Sequence, residues 1–413
     1  MNRKRIYLTG LSTLVACAVS FAGGPASSRF GIGDLSFFAS SRSYGMGGVG
    51  AGLVGDQFIN RLNPAGLAGI SQTRFSGTFL YSNYSSTDAT GSARYARGDF
   101  GGLAVAIPVS KDYGIVLVGE LTPYSTVNYA INRSDVQSGI ASDQRYYGSG
   151  GISRFDVGSS VSLTNQLHAG FKINYLAGTI LKTTKLSFAD NTVASSEVTV
   201  NSHYSGLLFS FGATYDGLSD LVDVPILKSL VLGAVVETPA TLDLKVQHFT
   251  STASSYDTIS TVNGKADIPL FLAFGASYTL AERYVFAADI AMQNWSGAKS
   301  LDVHPTEFRS STRIGAGVEI LPGKNPGSYL GHVVYRAGFY YDASYLRINN
   351  QDINGMFLTA GLGLPIGPES YLNLGLQYGV NGTTANGLQK DSIFRLTASI
   401  SGSELWFVRL EED

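Results

Sequence analysis

The chain has 413 residues, of which only 15% are charged, and it contains 49 Gly, 23 Tyr and 22 Phe. This composition is too apolar and aromatic for a disordered protein, and its charged fraction is well below the share of about a quarter found in soluble globular domains. The mean hydropathy of +0.10, with no apolar run of about 18 residues beyond the N-terminus, excludes a bundle of transmembrane helices. A chain rich in Gly and Tyr with few charges is typical of a transmembrane β-barrel.

The first 22 residues have the three parts of a secretory signal peptide. Residues 3–5 are basic, residues 6–18 are apolar, and residues 20–22 (Ser-Phe-Ala) form a small-x-small cleavage motif. Cleavage there removes three basic residues and no acidic ones, which changes the formal net charge from −2 to −5. An excess of acidic residues argues against a nucleic-acid partner. The peptide predicts export, and with the barrel pattern it predicts the outer membrane of a Gram-negative cell.

The only cysteine, Cys17, lies within this peptide. The mature chain is therefore expected to have no disulfide and no cysteine metal ligand. Residues 14–17 (Leu-Val-Ala-Cys) also match a lipobox, in which case Cys17 becomes a lipidated N-terminus. The apolar run continues past Cys17 to Ala22, which favours the secretory interpretation but leaves the lipidated one open.

The next fifty residues, 23–72, are rich in Gly and show no strand alternation. They contain a Gly-rich run at 45–52, which includes Gly45, Gly47 and Gly48, and the sequence Asn63-Pro64-Ala65-Gly66. Glycine lets a chain turn tightly and pack close to a wall, while Pro64 lacks a backbone donor and biases Asn63 towards extended geometry. We expect this segment to fill or gate the barrel formed by residues 73–413. The candidate hatch and gating positions are Gly45, Gly47, Gly48, Asn63, Pro64, Ala65 and Gly66.

From residue 74 onward, apolar residues alternate with small or polar ones, and clusters of Asn, Asp, Gly, Ser, Thr and Pro separate the alternating segments. A period of two predicts strands. Fourteen are expected, an even number that leaves both chain ends on the periplasmic side. They are 74–86, 97–109, 113–130, 144–163, 166–188, 196–215, 228–248, 259–280, 283–295, 307–320, 329–346, 353–364, 369–379 and 391–400.

The second face of these strands distinguishes a barrel from a soluble sandwich. In residues 371–378, Leu374 and Leu376 lie on one face while Asn373 and Gln377 lie on the other. A water-facing sandwich or propeller face carries many Lys and Glu, whereas this face is mostly Gly, Ser, Thr and Asn, as suits a barrel lumen. The charged lumen candidates are expected to be paired or solvated rather than to bind a carboxylate: Lys172, Arg313, Glu319, Arg336 and Arg395.

The Gly-rich run and the Asn-Pro-Ala tripeptide resemble the hatch of the FadL-like family of outer-membrane transporters for long-chain fatty acids and other hydrophobic compounds. The last strand (394–401) and the ending Glu404-Leu405-Trp406-Phe407, with Asn294-Trp295-Ser296 after a late strand, resemble Bacteroidetes-type members. The resemblance implies a barrel whose lumen is closed by an N-terminal hatch, with an apolar ligand captured outside and released through a lateral gap in the wall. It implies membrane lipid, a hydrophobic ligand and, during biogenesis, the barrel-assembly machinery as partners.

The sequence contains no convincing catalytic or cofactor-binding motif. Residues 50–55 match a dinucleotide fingerprint, but that motif needs a preceding strand and a βαβ unit. The sequence has no G-x-S-x-G elbow, and its five histidines show no metal-ligand spacing. We therefore expect no enzyme activity, no cofactor and no metal, although a Ser-His pair assembled across strands is not excluded by sequence.

Three functions are compatible with these residues. The first is passive uptake of a hydrophobic compound such as a long-chain fatty acid. The second is a FadL-like shuttle or anchoring barrel for secreted proteins, as in type IX secretion, and the third is a structural or adhesive barrel. One scaffold serves all three, so the fold alone does not choose between them.

Overall fold

The computed structural model describes residues 24–37, 40–137, 140–190, 194–252, 256–299, 308–324, 327–367 and 369–404. The predicted signal peptide with Cys17, residues 405–407 of the predicted C-terminal ending, and His304 lie outside the described residues.

Strands make up most of the described chain. In order, the strands are β1 (Asp34–Leu35), β2 (Thr73–Thr87), β3 (Ser92–Ser110), β4 (Ile115–Gln137), β5 (Ile140–Ser162), β6 (Leu167–Phe188), β7 (Ser196–Tyr215), β8 (Leu230–Glu237), β9 (Ala240–Thr252), β10 (Tyr256–Ile268), β11 (Phe271–Leu280), β12 (Tyr284–Asn294), β13 (Ser310–Ile320), β14 (Val334–Ile348), β15 (Gln351–Gly367), β16 (Ser370–Gly382) and β17 (Lys390–Glu404). Two short α-helices, α1 (Ser41–Gly45) and α2 (Leu218–Val222), and several 3-10 turns complete the described elements. Within the described residues, no helix has the length and apolar character needed to cross a membrane.

The strands from β2 onward form one closed antiparallel barrel. Successive strands pair with each other except β8 with β9 and β10 with β11, and β17 pairs with β2 along its whole length, from Lys390 opposite Thr87 to Glu404 opposite Thr73. The pairs β8–β9 and β10–β11 are each one wall strand, interrupted at residues 238–239 and 269–270, because proline at 239 and 269 cannot donate to the ladder. The wall therefore has fourteen strands, and the predicted fold class and strand count are confirmed.

Side chains alternate between an exposed apolar outer face and a buried inner face. In β16, Leu374 and Leu376 are 38% and 39% exposed, while Asn373 and Gln377 on either side of them are buried. The period of two places every second residue on the lipid-facing side, so the exposed leucines belong to an apolar belt. This is the arrangement that the alternation predicts.

The two ends of the barrel differ in the length of their connections. We call the end where β2 begins the proximal end and the opposite end the distal end. Most proximal connections are short, whereas distal hairpins extend well beyond the belt; β6 and β7 pair from Leu167 and Tyr215 up to Leu186 and Ser196. Short turns at one end and long hairpins at the other are typical of outer-membrane barrels.

Candidate functional site

The described N-terminal segment, residues 24–37 and 40–72, lies inside the barrel. A Cβ added at Gly33 would lie 2.4 Å from the carbonyl oxygen of Thr126 on β4, and one at Gly47 would lie 2.3 Å from that of Phe339 on β14. Similar close approaches join Gly45 to β15, Gly52 to β11 and Asn63 to β7. Only a chain in the lumen can contact so many wall strands around the circumference. The described part of the predicted hatch, 24–37 and 40–72, occupies this space.

The candidate glycines Gly45, Gly47 and Gly48 form the end of α1 and the turn after it. Thr359 of β15 donates to the Gly45 carbonyl (3.1 Å) and accepts from the Gly47 amide (2.9 Å). Gly47 and Gly48 have φ of 67° and 78°, a left-handed conformation that glycine adopts without steric cost. The Gly48 amide donates to the Ser43 carbonyl (2.9 Å). These glycines therefore turn the chain off the helix while holding its backbone against the wall.

Asn63 organises the Asn-Pro-Ala-Gly turn and fixes it to the wall. Its Oδ1 accepts from the Ala65 amide (3.0 Å), which caps the 3-10 turn Pro64–Leu67. Its Nδ2 donates to the carbonyls of Ala51 (2.6 Å) in the segment and Ala213 (3.1 Å) on β7. One buried side chain therefore satisfies groups in the turn, the segment and the wall.

Wall glycines leave the space that this turn occupies. A Cβ at Gly212 would lie 2.1 Å from Asn63 Oδ1, and one at Gly170 would lie 2.4 Å from the carbonyl carbon of Pro64. Within the turn, a Cβ at Gly66 would lie 2.7 Å from the Leu53 carbonyl oxygen. The glycines of the lumen face are thus docking positions for the segment.

A buried charge network ties α1 to the wall. Arg42 of the segment donates to Glu319 of β13, and Arg336 Nε of β14 donates to the other oxygen of Glu319 at 2.7 Å. Arg336 also donates to Asn373 Oδ1 (3.0 Å), and the ring of Phe58 lies 5.0 Å and 5.3 Å from the two guanidinium carbons. Breaking a buried ion pair leaves an uncompensated charge, so this network holds the segment in place.

Lys172 joins a second network on the opposite side of the lumen. Its Nζ donates to the carbonyl of Arg61 in the segment (2.6 Å) and to Glu120 Oε2 (3.2 Å), and it lies 3.6 Å from Asp156 Oδ2. Lys172 is fully buried. It therefore links the segment to β4, β5 and β6.

The remaining predicted lumen residues lie elsewhere in the lumen. The guanidinium of Arg313 stacks on the ring of Tyr340 at 4.1 Å, and Arg395 donates to Ser82 and Gln377, both at 3.1 Å. Of the five candidates, only Glu319 and Arg336 share a network. These five inward charges are ion-paired, stacked on a ring or hydrogen-bonded to polar side chains, and they are spread over different parts of the lumen.

The wall has a gap between β3 and β4 in its distal half. Within these described strands, pairing ends at Leu103 and Leu121, although both strands continue towards the distal end. The edge of β4 instead pairs with β1 of the segment, which places Leu35 opposite Ser125. The segment thus takes the place that β3 would occupy in an unbroken wall.

Residues of the segment contact both edges of this gap. A Cβ at Gly24 would lie 1.9 Å from the Asn128 carbonyl oxygen on β4 and 3.2 Å from Arg97 Nη1 on β3. Arg61 Nη1 donates to the carbonyl of Gly101 on the open edge of β3 (3.0 Å). The gap is consequently occupied by protein rather than open.

A small polar cavity lies directly inside the gap. Its volume is about 70 Å³, room for about two water molecules and roughly half of an apolar cavity known to hold benzene. Arg154 bridges Asp156 (2.8 Å) and Glu237 (2.7 Å) beside it. The lining residues are Leu35, Ser36, Phe37, Arg61, Leu62, Gly101, Glu120, Thr122, Pro123, Tyr124, Arg154, Asp156, Glu237, Phe271 and Gln293.

The distal half of the lumen contains a large apolar cluster that the sequence pattern did not reveal. Trp295 and Phe308, from the connection between β12 and β13, pack on Tyr345 with ring centroids 4.9 Å and 5.4 Å from it. Tyr345 also donates to the Gly33 carbonyl (2.7 Å). Other buried members are Ile32, Val127, Ile152, Leu176, Ile180, Leu208, Leu242, Leu244 and Ile268. The inner face is thus polar near the proximal end and apolar near the distal end.

A larger cavity, which we call the distal basin, opens above this cluster. It has a volume of about 420 Å³ and is lined by Ala26, Ser27, Arg29, Phe30, Asp88, Ile131, Ile348, Asn349, Ile353, Asn381, Gly382, Gly387, Leu388, Gln389 and Asp391. Phe30, Ile131, Ile348, Ile353 and Leu388 of this lining are also buried in or packed against the apolar cluster. The basin therefore joins the outside to the apolar part of the lumen.

Histidine pairs exist, but they do not form a catalytic arrangement in the described part of the chain. Ser162 lies 2.8 Å from His168 Nδ1 and Ser260 lies 3.1 Å from His248 Nδ1, each pair lying on neighbouring strands. No described ion pair joins a carboxylate to either histidine, as a hydrolase triad would need. Nor do the described residues group three metal-ligand side chains.

Asp56 anchors the proximal end of the segment. Its carboxylate accepts from the amide (2.9 Å) and the hydroxyl (2.7 Å) of Ser71 and lies 3.4 Å from Arg74, which also pairs with Glu369 (2.7 Å). Burial raises the pKa of Asp56, but the hydrogen bonds from Ser71 and the charge of Arg74 outweigh it, so the pKa lies below its ordinary value.

Comparison with known proteins gives a family and a set of similar folds. The family model BamG matches residues 2–411, and no curated protein sequence matches. The Ralstonia pickettii toluene transporter TbuX aligns with a TM-score of 0.59 at 15% identity, covering 89% of this chain and 98% of its own. A Pseudomonas aeruginosa FadL homologue aligns at 0.58 and 12%, covering 89% and 98%, and the CymD monoaromatic hydrocarbon channel at 0.57 and 15%, covering 91% and 99%.

These alignments confirm the predicted FadL-like fold over nearly the whole chain. The similar structures are a transporter, a channel and a FadL homologue, and at these identities they show the fold alone. The Bacteroidetes-type resemblance stays a prediction.

Proposed function

The chain belongs to the BamG family, and we propose that it is an outer-membrane barrel through which hydrophobic compounds pass from the distal basin to the lateral gap. The observation that carries this proposal is the break in pairing between β3 and β4, which is covered from inside by β1. An opening in the side of a barrel delivers a compound into the membrane rather than into water. That route suits an apolar solute, which gains free energy on leaving water.

The apolar cluster supplies the first part of the route. A hydrophobic compound entering the distal basin meets Phe30 and Leu388, and below them Trp295 and Tyr345. The second part requires movement, because the cavity behind the gap is small and charged. Displacement of β1 from β4 would join the apolar cluster to the gap.

The glycine and Asn-Pro-Ala positions have a positioning role in this proposal. Gly45, Gly47 and Gly48 hold the segment against Thr359, and Asn63 fixes it to β7. These contacts hold residues 45–48 and 63 in place while β1, nearer the start of the segment, moves away from β4. They therefore limit how far β1 can move. The similarity to a toluene transporter and a monoaromatic hydrocarbon channel supports small hydrophobic compounds as the ligand class, with long-chain fatty acids as the second class to assay.

A disulfide that locks β1 tests the proposal. Leu35 and Ser125 are directly opposite each other, and opposed residues of an antiparallel pair lie within disulfide range. We expect the Leu35→Cys/Ser125→Cys protein to lose uptake of toluene or oleate when oxidised and to regain it on reduction. Leu374→Cys/Ala398→Cys, a pair on the outer face between β16 and β17, is the matched control and should transport in both states. Equal uptake by the oxidised and reduced β1 pair would refute the route.

A second candidate function follows from the family name, which points to the barrel-assembly machinery. The filled lumen favours it, because a subunit that supports other barrels needs no open route, and the described gap is occupied by Gly24 and β1. Depletion of the protein should then lower the amounts of unrelated outer-membrane barrels, and the oxidised Leu35→Cys/Ser125→Cys protein should restore them fully. Under the uptake proposal, depletion lowers uptake alone and the oxidised pair does not restore it. The protein-shuttle and adhesive functions stay predictions.

A further inference from the structure

The connection between β7 and β8 differs from the short turns at the same end of the barrel. It runs from Asp216 to Ser229 and contains α2 and the 3-10 turn Pro225–Ser229. By contrast, residues 111–114 join β3 to β4 and residues 281–283 join β11 to β12. Proximal turns of outer-membrane barrels are normally short, and at this end of the barrel residues 216–229 and 321–333 are the two long connections between the described strands.

Large aliphatic side chains point into solvent along this connection. Leu221 is 72% exposed and Ile226 is 69% exposed, and Val222 and Val224 are exposed as well. They lie beyond the ends of β7 and β8. Turns are built mainly from Gly, Pro, Asn, Asp and Ser, and a contiguous exposed apolar patch marks an interaction site.

The connection is an ordered element and not a loose loop. The Asp216 amide donates to the Gln166 carbonyl (3.1 Å), and Gln166 Nε2 donates to Asp220. The Val224 amide donates to the Ser219 carbonyl (3.2 Å). A surface held in one shape loses little conformational entropy on binding, so the aliphatic side chains are presented ready for a partner.

The charges around the patch indicate what covers it. The connection carries three acidic residues, Asp216, Asp220 and Asp223, and one basic residue, Lys228. Amphipathic segments that lie on a membrane are rich in Lys and Arg on their polar face, the reverse of what is found here. Exposed aliphatic side chains interspersed with acidic ones complement a protein surface that is apolar and carries Lys or Arg.

We propose that residues 216–229 are a docking element for another protein at the proximal face of the barrel, one whose contact surface is aliphatic and edged by Lys or Arg. Leu221 and Ile226 fill its apolar centre, and Asp220 and Asp223 pair with its basic edge. This surface is separate from the gap and the distal basin, so it does not depend on the uptake of any compound. It adds a contact site to the assembly function if that function holds.

Cysteine accessibility in two membranes tests the proposal with the full-length protein. Ile226→Cys is labelled with a small charged maleimide in isolated native outer membranes and, after purification, in phospholipid vesicles. Asp112→Cys in the short β3–β4 turn is the water-exposed reference, and Leu374→Cys on the outer face of β16 is the lipid-covered reference. The unsubstituted protein gives the background, since Cys17 is the only cysteine in the sequence.

We expect Ile226→Cys to react as fast as Asp112→Cys in vesicles but about tenfold more slowly in native membranes, the ratio for about nine-tenths occupancy by a partner. Adding Asp223→Lys, which leaves the Gln166–Asp220 hydrogen bond in place, should restore fast labelling in native membranes, with heat-modifiable gel migration showing that the barrel is folded. Fast labelling in both membranes would overturn the proposal because nothing covers the patch. Labelling as slow in vesicles as that of Leu374→Cys would overturn it in favour of lipid. If labelling in native membranes stays slow after the charge reversal, the proposal that the partner has a basic edge is overturned.

Discussion

Arg42 of the N-terminal segment donates to Glu319 of the wall, and both side chains are buried in the lumen. Glu319 also accepts from Arg336, so one carboxylate compensates two guanidinium groups. The segment contributes one of these cations and the wall contributes the other. The folded position of the segment and the charge balance of the lumen therefore depend on each other.

Because two arginines share Glu319, substituting Glu319 should destabilise the protein more than substituting Arg42. Glu319→Gln leaves Arg42 and Arg336 buried without their carboxylate, and we expect a loss of about 3–5 kcal/mol in the free energy of unfolding. Arg42→Met keeps the Glu319–Arg336 pair, so we expect a smaller loss of about 1–3 kcal/mol. Urea titration in phospholipid vesicles measures both. Equal losses would show that Arg42 and Arg336 do not share Glu319.

Gly212 of β7 predicts a steric effect, because the Asn63 turn packs directly against it. Gly212→Ala places a methyl group 2.1 Å from Asn63 Oδ1, and overpacking of this kind costs about 1–3 kcal/mol. The displaced Asn63 turn should also become accessible to protease while the barrel strands stay resistant. Gly91→Ala is the control, because a Cβ there meets nothing within 4 Å. Equal protease resistance of the two variants would contradict the docking of the turn on β7.

The fold was predictable because each strand states its own pattern. In β16, apolar residues such as Leu374 alternate with polar ones such as Gln377, and this alternation is visible in the local sequence. Alternation and turns are enough to predict a barrel. The apolar distal lumen was not predictable, because Leu176 and Ile180 share the inner face with Lys172 and Asn174 and so interrupt the alternation that identifies that face. Their burial depends on contacts with distant residues, which periodicity does not encode.

The candidate site likewise has some features that the sequence predicts and others that it does not. The Asn63 turn was recognisable, since Asn before Pro caps a turn by local hydrogen bonds. The contact between Lys172 and the carbonyl of Arg61 joins residues 111 positions apart, and the gap between β3 and β4 is a missing pairing rather than a motif. Such features follow from the way the segment fits the closed wall.

Acid should loosen the proximal end of the segment. The pKa of Asp56 is lower in the folded protein than in the unfolded chain, so its stabilising contribution is complete above the unfolded pKa of about 4 and is lost as the pH falls through the folded pKa. We expect Asp56→Asn to be less stable than the unsubstituted protein at pH 7, and we expect this difference to shrink as the pH falls below about 4. Thermal unfolding followed by heat-modifiable migration over that pH range measures this. A difference that persists unchanged at low pH would assign the effect to shape and not to charge.

Trp295 connects stability with the proposed uptake route. It is 1% exposed and packs on Tyr345 and Phe308 in the distal lumen. Trp295→Ala should cost about 3–5 kcal/mol in the free energy of unfolding, because a buried aromatic ring is replaced by a cavity. Phe286→Ala, on the outer face and 46% exposed, is the matched control and should cost far less.

The same cavity should change what the protein admits. An apolar cavity of this kind stays dry and takes up small hydrophobic molecules, so under the uptake proposal Trp295→Ala should bind toluene in the distal lumen and raise its uptake by cells. The β1 lock separates binding from passage: the oxidised Leu35→Cys/Ser125→Cys pair in the Trp295→Ala background should still bind toluene yet not transport it. Binding without faster uptake in the unlocked Trp295→Ala protein would place the barrier at β1 and the charged cavity behind the gap. Faster uptake through the locked protein would mean that toluene leaves the lumen by a path other than the β3–β4 gap.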